Sequence, residues 1–299
     1  MNKKTACGAV LVASVLVVSG RSWGDEGLFG YVKGAETLPK GAADFEQWFT
    51  WRGDKGTGSY NALDTKTEVD YGITDRLSVS GAFFGLGIDT QDIMFDAYIP
   101  KDEKYTWKPA GAEAALKYNY LSPAKDDIGL SQYASLTYFW QDVHSGQNKS
   151  VYSFETILIA QKYYLDGQLV AAGNLGLEAT SAKRASIDGL PPDFEWPTHP
   201  EMEIELTAAA GLTYRFAPNW FIGAEIFYQT EHETEVGQER WSVQAGPTLH
   251  YGGKRWWATL TWLPQLQGGG LDYEGQTDTD LHLIEKTKQE VRFKFGLNF

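Results

Sequence analysis

The chain has 299 residues, a formal net charge of −13 and an aromatic content of 14%. An excess of acidic side chains argues against a nucleic-acid partner, because phosphate backbones are bound by basic surfaces. Beyond residue 24 the sequence has no run of about 18 apolar residues, which excludes a helical membrane protein.

Residues 1–24 have the pattern of a cleavable export signal. Lys3 and Lys4 precede an apolar run at 9–18, and small residues follow at the predicted cleavage site. Its removal takes away the only cysteine, Cys7, and with it disulfides, cysteine metal sites and cysteine nucleophiles. The removed segment carries three basic residues and no acid, so the mature chain has a net charge near −16.

Residues 25–41 show little strand pattern. We expect them to form a periplasmic N-terminal segment or a partial plug of the lumen. The remaining residues, 42–299, are predicted to form one β-barrel domain.

Apolar and polar residues alternate from residue 43 onward in segments of about ten residues, the length that a tilted strand needs to cross a bilayer. The alternating segments are 43–52, 64–73, 77–88, 111–121, 128–141, 151–165, 168–181, 202–214, 220–229, 241–251, 255–266 and 291–299. This pattern predicts an all-β fold, a transmembrane antiparallel up-and-down β-barrel of about 12 strands. A soluble β-sandwich, whose strands also alternate, is the alternative.

The connections between these segments are expected to alternate strictly between short turns and longer polar links, as in outer-membrane barrels. Aromatic residues flank the short turns, where we expect the inner membrane–water interface. The short turns are 74–75, 122–127, 166–167, 218–219 and 252–254. The longer links are 53–63, 89–110, 142–150, 182–200, 232–238 and 267–287. The flanking aromatic residues are Tyr71, Tyr120, Tyr164, Tyr214, Trp220, Tyr251 and Trp256.

The last strand ends in an alternating apolar row that resembles the terminal signal by which Gram-negative barrels reach their assembly machinery. The row consists of Phe293, Phe295, Leu297 and Phe299. The stretch 37–41 (TLPKG), followed by FEQW at 45–48, resembles an uncharacterised, porin-like family of proteobacterial outer-membrane β-barrels. These resemblances imply the outer membrane of a Gram-negative bacterium, with barrel-assembly machinery and periplasmic chaperones as partners.

The alternation also places two groups of charged residues inside the barrel. The acidic group is Glu155, Glu178, Glu203, Glu205 and Glu225, and the basic group is Arg52, Lys66, Lys117, Arg292 and Lys294. Opposite charges on opposite walls would orient charged or dipolar solutes, which favours a channel with a narrow, charge-lined lumen. The alternatives are a non-conducting structural or partner-binding barrel and an outer-membrane lipid-modifying enzyme.

No catalytic residue, cofactor or metal site is predicted. His144 and Ser145 are adjacent in a link, and no Gly-x-Ser-x-Gly motif occurs. The acidic stretches Glu231-His232-Glu233 with Glu235, and Asp89, Asp92, Asp96 and Asp102, match no standard metal-binding spacing. We therefore expect them to be hydrated or to share cations with lipopolysaccharide. The expected environment is outer-membrane lipid and lipopolysaccharide, and we expect a monomer.

Overall fold

Thirteen strands form one antiparallel sheet in the computed structural model, which describes residues 27–93, 95, 98–233, 237–272, 276 and 278–299. The predicted export signal, 1–24, lies outside these residues. The strands are β1 (Ala43–Gly53), β2 (Ser59–Thr74), β3 (Leu77–Gln91), β4 (Lys104–Leu121), β5 (Gly129–Gln141), β6 (Asn148–Tyr164), β7 (Leu169–Arg184), β8 (Glu201–Ala217), β9 (Trp220–Glu233), β10 (Gly237–Gly252), β11 (Trp256–Trp262), β12 (Gln265–Gly270) and β13 (Gln289–Asn298).

The sheet closes because β13 pairs with both β1 and β11, while β10 pairs with β11 and β12. The strands β11 and β12 occupy one position in the wall and are separated by Leu263 and Pro264. Proline has no backbone N–H to donate to a ladder, which favours an interruption here. The barrel therefore has twelve strand positions, which confirms the predicted fold, although the expected single strand 255–266 is split.

The apolar rows face outward. Leu206, Ile222 and Phe293 are 43%, 53% and 39% exposed, whereas their neighbours in the strands turn polar side chains to the interior. A β-sandwich would bury these rows against a second sheet, so that alternative is wrong. The described residues contain no helix long and apolar enough to cross a membrane.

The links at the two ends of the barrel differ in length, but the expected strict alternation is wrong. One end has the links 75–76, 122–128, 165–168, 218–219 and 253–255 and is called the short-turn end. The other end, called the long-loop end, has 92–103, 185–200 and 271–288 but also the shorter links 54–58, 142–147 and 234–236. Several strands continue past their predicted ends, which shortens the links between them. The turn 122–128 is consequently longer than three of the links opposite.

Candidate solute chamber inside the barrel

The ten charged residues singled out from the sequence all lie on the face opposite the outward apolar rows. Glu225, Arg52, Lys66, Lys117 and Lys294 are buried. The others are half-buried: Glu155, Glu178, Glu203, Glu205 and Arg292. Their part in selecting solutes stays a prediction. The two groups lie on different parts of the barrel wall. The acidic group occupies β6 to β9, and the basic group occupies β1, β2, β4 and β13.

Several basic side chains on their side of the barrel are paired with carboxylates. Arg52 Nε lies 2.7 Å from Asp64 Oδ2. Lys66 Nζ lies 2.8 Å from Glu68 and 2.9 Å from Glu113. These pairs join neighbouring strands and offset the cost of burying charge. Much of the positive charge on this wall is therefore locally balanced.

Arg292 differs from these residues. Its Nε donates to Thr50 Oγ1 at 2.9 Å, its Nη1 donates to the carbonyl of Gly30 at 3.0 Å, and its guanidinium carbon lies 3.8 Å from the centre of the Tyr31 ring. Among the described residues no carboxylate oxygen lies within 4.0 Å of it. Arg292 is thus positioned by neutral groups and retains a net positive charge.

The acidic side of the barrel contains a ladder of four glutamates in direct cross-strand register. Glu155 on β6 pairs with Glu178 on β7, Glu178 with Glu205 on β8, and Glu205 with Glu231 on β9. Like charges directly opposite one another destabilise a sheet. Among the described residues, Glu231 is the only one of these four that forms an ion pair, with Arg240 in the next strand. The other three form no ion pair in the described structure, and Lys33 and Lys286 act on Glu155 and Glu205 from farther away.

An extended N-terminal segment, residues 27–38, runs inside the barrel near the short-turn end. Its backbone is held by the Glu225 carboxylate, which accepts the N–H groups of Gly30, Tyr31 and Val32 at 2.7, 2.8 and 2.9 Å. Thr261 donates a fourth hydrogen bond to the same carboxylate at 2.9 Å. With four donors around it, the Glu225 carboxylate acts only as an acceptor.

Further side chains of the wall bind the same segment through its backbone. The amide of Asn174 accepts the N–H of Lys33 at 2.7 Å and donates to its carbonyl at 2.9 Å. Gln161 accepts the N–H of Ala35 at 2.7 Å. These contacts fix the course of the segment across the lumen.

Apolar packing holds the segment as well. Leu28, Phe29 and Val32 are at most 2% exposed. A Cβ atom placed on Gly211 would lie 2.6 Å from the Phe29 ring, so glycine is required for the ring to lie against β8. Each fully buried side chain of this size stabilises its position by about 1.5–3 kcal/mol. The segment is therefore held by apolar burial in addition to its hydrogen bonds.

The long-loop end is narrowed by the link 271–288, whose residues Leu281 to Glu285 are buried. Arg240 joins this link to the wall, with Nη2 2.5 Å from Glu285 and Nη1 3.0 Å from Glu239. His144, from the link 142–147, lies 3.8 Å from Glu285. A polar contact between His144 and Glu285 thus connects the two links across this end.

The ionisable groups of these links are strongly influenced by burial. Desolvation, reinforced by Arg240, Lys286 and Lys55, lowers the pKa of His282 to about 3. Desolvation and Lys55 likewise hold the pKa of His144 well below its ordinary value. Both imidazoles are therefore neutral at pH 7.

A chamber of about 380 Å³ lies between the two narrowed ends. It is bounded by the N-terminal segment at one end and by His144, Glu285 and Lys286 at the other. Arg292 and Lys294 line one side, and Glu155 and Glu205 are also in the lining. Six of the ten residues predicted from the sequence thus line one polar space, and the other four do not: Lys66, Glu178, Glu203 and Glu225.

The side chains considered for catalysis and metal binding are engaged elsewhere. Ser145 Oγ donates to Asp142 at 2.9 Å, whereas His144 contacts Glu285 and Lys55. These adjacent residues thus do not form a nucleophile–base pair. Asp96 and Glu235 lie outside the described residues.

Among the other acidic residues considered as ligands, Asp89 pairs with Lys104, Glu231 with Arg240, and Asp102 accepts backbone N–H groups. A group of three carboxylates that the sequence did not indicate, Glu201, Glu203 and Glu233, comes within 4.8 Å at the long-loop end. Arg184 donates to Glu201.

A model for a family of unknown function, DUF6662, matches residues 21–299. The chain belongs to this family. This agrees with the resemblance to an uncharacterised barrel family. No protein of curated function matches the DUF6662 chain.

Two solved structures are similar to this DUF6662 chain in fold. One is the COG4313 outer membrane channel from Pseudomonas putida F1, with a TM-score of 0.53, 11% identity, and coverage of 89% of this chain and 98% of that one. The other is the β domain of the Bordetella autotransporter BrkA, with a TM-score of 0.54, 11% identity, and coverage of 87% and 100%. With 11% sequence identity, these similarities establish the fold alone, which is that of outer-membrane β-barrels.

Sequence reasoning missed what the N-terminal segment contacts. Glu225 was predicted to line the lumen, whereas the structure uses its carboxylate to hold the backbone at 30–32. A usable signal was present: Leu28, Phe29 and Val32 are apolar residues in a stretch that has no strand pattern. Such residues need a surface to cover them, and the interior of the barrel is the nearest one.

Proposed function

We propose that this chain is a channel in the Gram-negative outer membrane that admits small polar or charged solutes. The single observation that carries the proposal is the chamber of about 380 Å³, lined by charged side chains inside a barrel with outward apolar rows. Twelve-stranded barrels lie between small filled barrels and large open porins. A narrow, selective passage fits this intermediate size.

Passage requires at least one of the narrowed ends to open. The N-terminal segment is held to the wall by hydrogen bonds to side chains and by apolar packing. In the described structure, residues 27–38 do not pair with any strand of the barrel. Such contacts can break without unpairing the barrel. We therefore expect a low conductance that increases when the segment is displaced.

A second candidate function is a non-conducting barrel that supports the envelope or binds a partner. The observation in its favour is that ion pairs such as Lys66–Glu113 and Arg240–Glu285, together with the N-terminal segment, occupy much of the interior. Side chains fill the interior of small barrels, which leave no aqueous channel.

Conductance in planar lipid bilayers separates the two candidates. The channel predicts discrete steps, with lower cation preference in Glu205→Gln and lower anion preference in Arg292→Gln, because each change removes one sign of charge from the chamber. Glu225→Gln is measured in parallel, because it weakens the hold on the N-terminal segment. Silence of both the wild type and Glu225→Gln at all voltages would show that the barrel does not conduct.

A further inference from the structure

The lining of the chamber carries charge of both signs, including Lys33 and Lys286, and Arg292, Glu155 and Glu205 form no ion pair within it among the described residues. We infer that the chamber binds small zwitterionic solutes, with the carboxylate of the solute on Arg292 and its ammonium group between Glu155 and Glu205. The inference rests on the proposed function, since the bound solute would be one that the channel admits. The inference adds to the proposed function a class of solute that the barrel fold alone does not indicate.

Arg292 provides the anion-binding side. The guanidinium uses Nε and one N–H of Nη1 in its hydrogen bonds to Thr50 and Gly30, which leaves Nη2 without a bond in the described structure. Stacking on Tyr31 fixes the plane of the group. An orientated guanidinium with spare donors is suited to a carboxylate, which it can bind through two parallel hydrogen bonds.

Glu155 and Glu205 provide the cation-binding side. Each is directly opposite Glu178 in the sheet, so the negative charges of three neighbouring strands repel one another. Glu205 accepts one hydrogen bond, from Gln229 at 3.0 Å, and neither residue forms an ion pair among the described residues. An ammonium group between them would relieve this repulsion.

A third, independent observation is an unused hydrogen-bond donor. Gln244 lines the same chamber, is 3% exposed, and its Nε2 has no partner in the described structure. A buried donor without a partner is unfavourable. A polar solute in the chamber could supply the missing acceptor.

A zwitterion fits better than a simple cation or anion. Its two charges can be matched at once, and it brings no net charge into a confined space inside the barrel, where an unmatched ion is disfavoured. At about 30 Å³ per water molecule, the chamber of about 380 Å³ has room for roughly a dozen waters or for one amino-acid-sized solute.

The test is calorimetric titration of the purified full-length mature protein in detergent. The probes are glycine, β-alanine, γ-aminobutyrate and 6-aminohexanoate, which differ in charge separation, with butylamine and butyrate as analogues that carry one charge. At least one zwitterion is expected to bind at least about tenfold more tightly than both analogues, since each analogue leaves one wall unmatched.

Arg292→Gln and Glu205→Gln are expected to weaken that binding by about tenfold or more, because each removes a charge-assisted contact. Arg292→Lys, which keeps the charge but loses the planar fork, should retain part of it. The control is Asp89→Asn, which removes an acidic charge from an exposed ion pair with Lys104, outside the chamber lining. Heat-dependent mobility on gels checks that each variant is folded.

The inference is overturned if no zwitterion binds to the folded wild type. It is also overturned if butylamine binds as tightly as the best zwitterion and Arg292→Gln has no effect, which would indicate a cation site. If either result is accompanied by discrete conductance steps, the proposed channel function is retained and only the inference about zwitterionic solutes is rejected. Absence of conductance in both wild type and Glu225→Gln removes the channel, whatever the titrations give.

Discussion

Replacement of Glu225 by glutamine should loosen the N-terminal segment without opening the barrel. The amide keeps one acceptor oxygen, but its NH2 group would face N–H donors in place of the second oxygen. If the NH2 group replaces Oε2, which accepts the N–H groups of Tyr31 and Val32, these two N–H groups lose their partner. Each unsatisfied group costs about 1–3 kcal/mol.

The two losses together amount to about 2–6 kcal/mol, and each 1.4 kcal/mol corresponds to a factor of ten. The displaced state of the segment should therefore become at least about 30-fold more populated. Leu28, Phe29 and Val32 remain as apolar contacts, so the segment stays bound most of the time.

Hydrogen exchange of backbone amides measures this local opening directly. The amides of Gly30, Tyr31 and Val32 should exchange at least about 30-fold faster in Glu225→Gln, while those of the barrel strands keep their rates. Glu178→Gln is the control, because that carboxylate does not bind the segment. Acceleration below about threefold at residues 30–32, in a folded variant, would refute the assigned role of Glu225.

Three further outcomes are expected. Burial lowers the folded-state pKa of His282 to about 3 from its usual 6.5, so the open state binds more protons between these two values. The β12–β13 link should therefore open progressively as the pH falls below about 6.5, as measured by hydrogen exchange corrected for intrinsic rates. Opening that does not depend on pH above pH 5 would contradict this. Arg240→Gln leaves buried carboxylates unpaired and should destabilise the same link by about 3–5 kcal/mol, seen as rapid proteolysis there, whereas Lys104→Gln, at an exposed ion pair, should have less than about 1 kcal/mol of effect. Phe299→Ser should lower the yield of assembled barrel more than Phe216→Ser does, because both side chains are exposed and only Phe299 belongs to the terminal row; equal yields would argue against an assembly signal.

The barrel could be predicted from the sequence because strand faces alternate with a period of two. Met202, Ile204 and Leu206 mark an outward row, and Glu203 and Glu205 mark the inward one, before any contact is known. The number of strands and the sides occupied by the charges follow from the same period. Link lengths were less accurate, because strands continue into polar sequence as long as their neighbours supply hydrogen bonds.

The contents of the lumen could not be predicted in the same way. The N-terminal segment is bound mainly through its backbone, and backbone N–H groups are the same in every sequence. Its partners Asn174 and Glu225 lie 141 and 195 residues along the chain from the backbone groups they bind, and they resemble any other inward polar residues. The link 271–288 has buried Leu281 and Leu283 without a periodic pattern, so its inward fold has no sequence signature.

The contacts of Gly30 join parts of the chain that are very distant in sequence. It is 195 residues from Glu225 and 262 residues from Arg292. Contacts of such high order form late and slow the folding of a chain. The N-terminal segment should therefore settle only after the first and last strands have met, and the final, slow phase of refolding should report its docking.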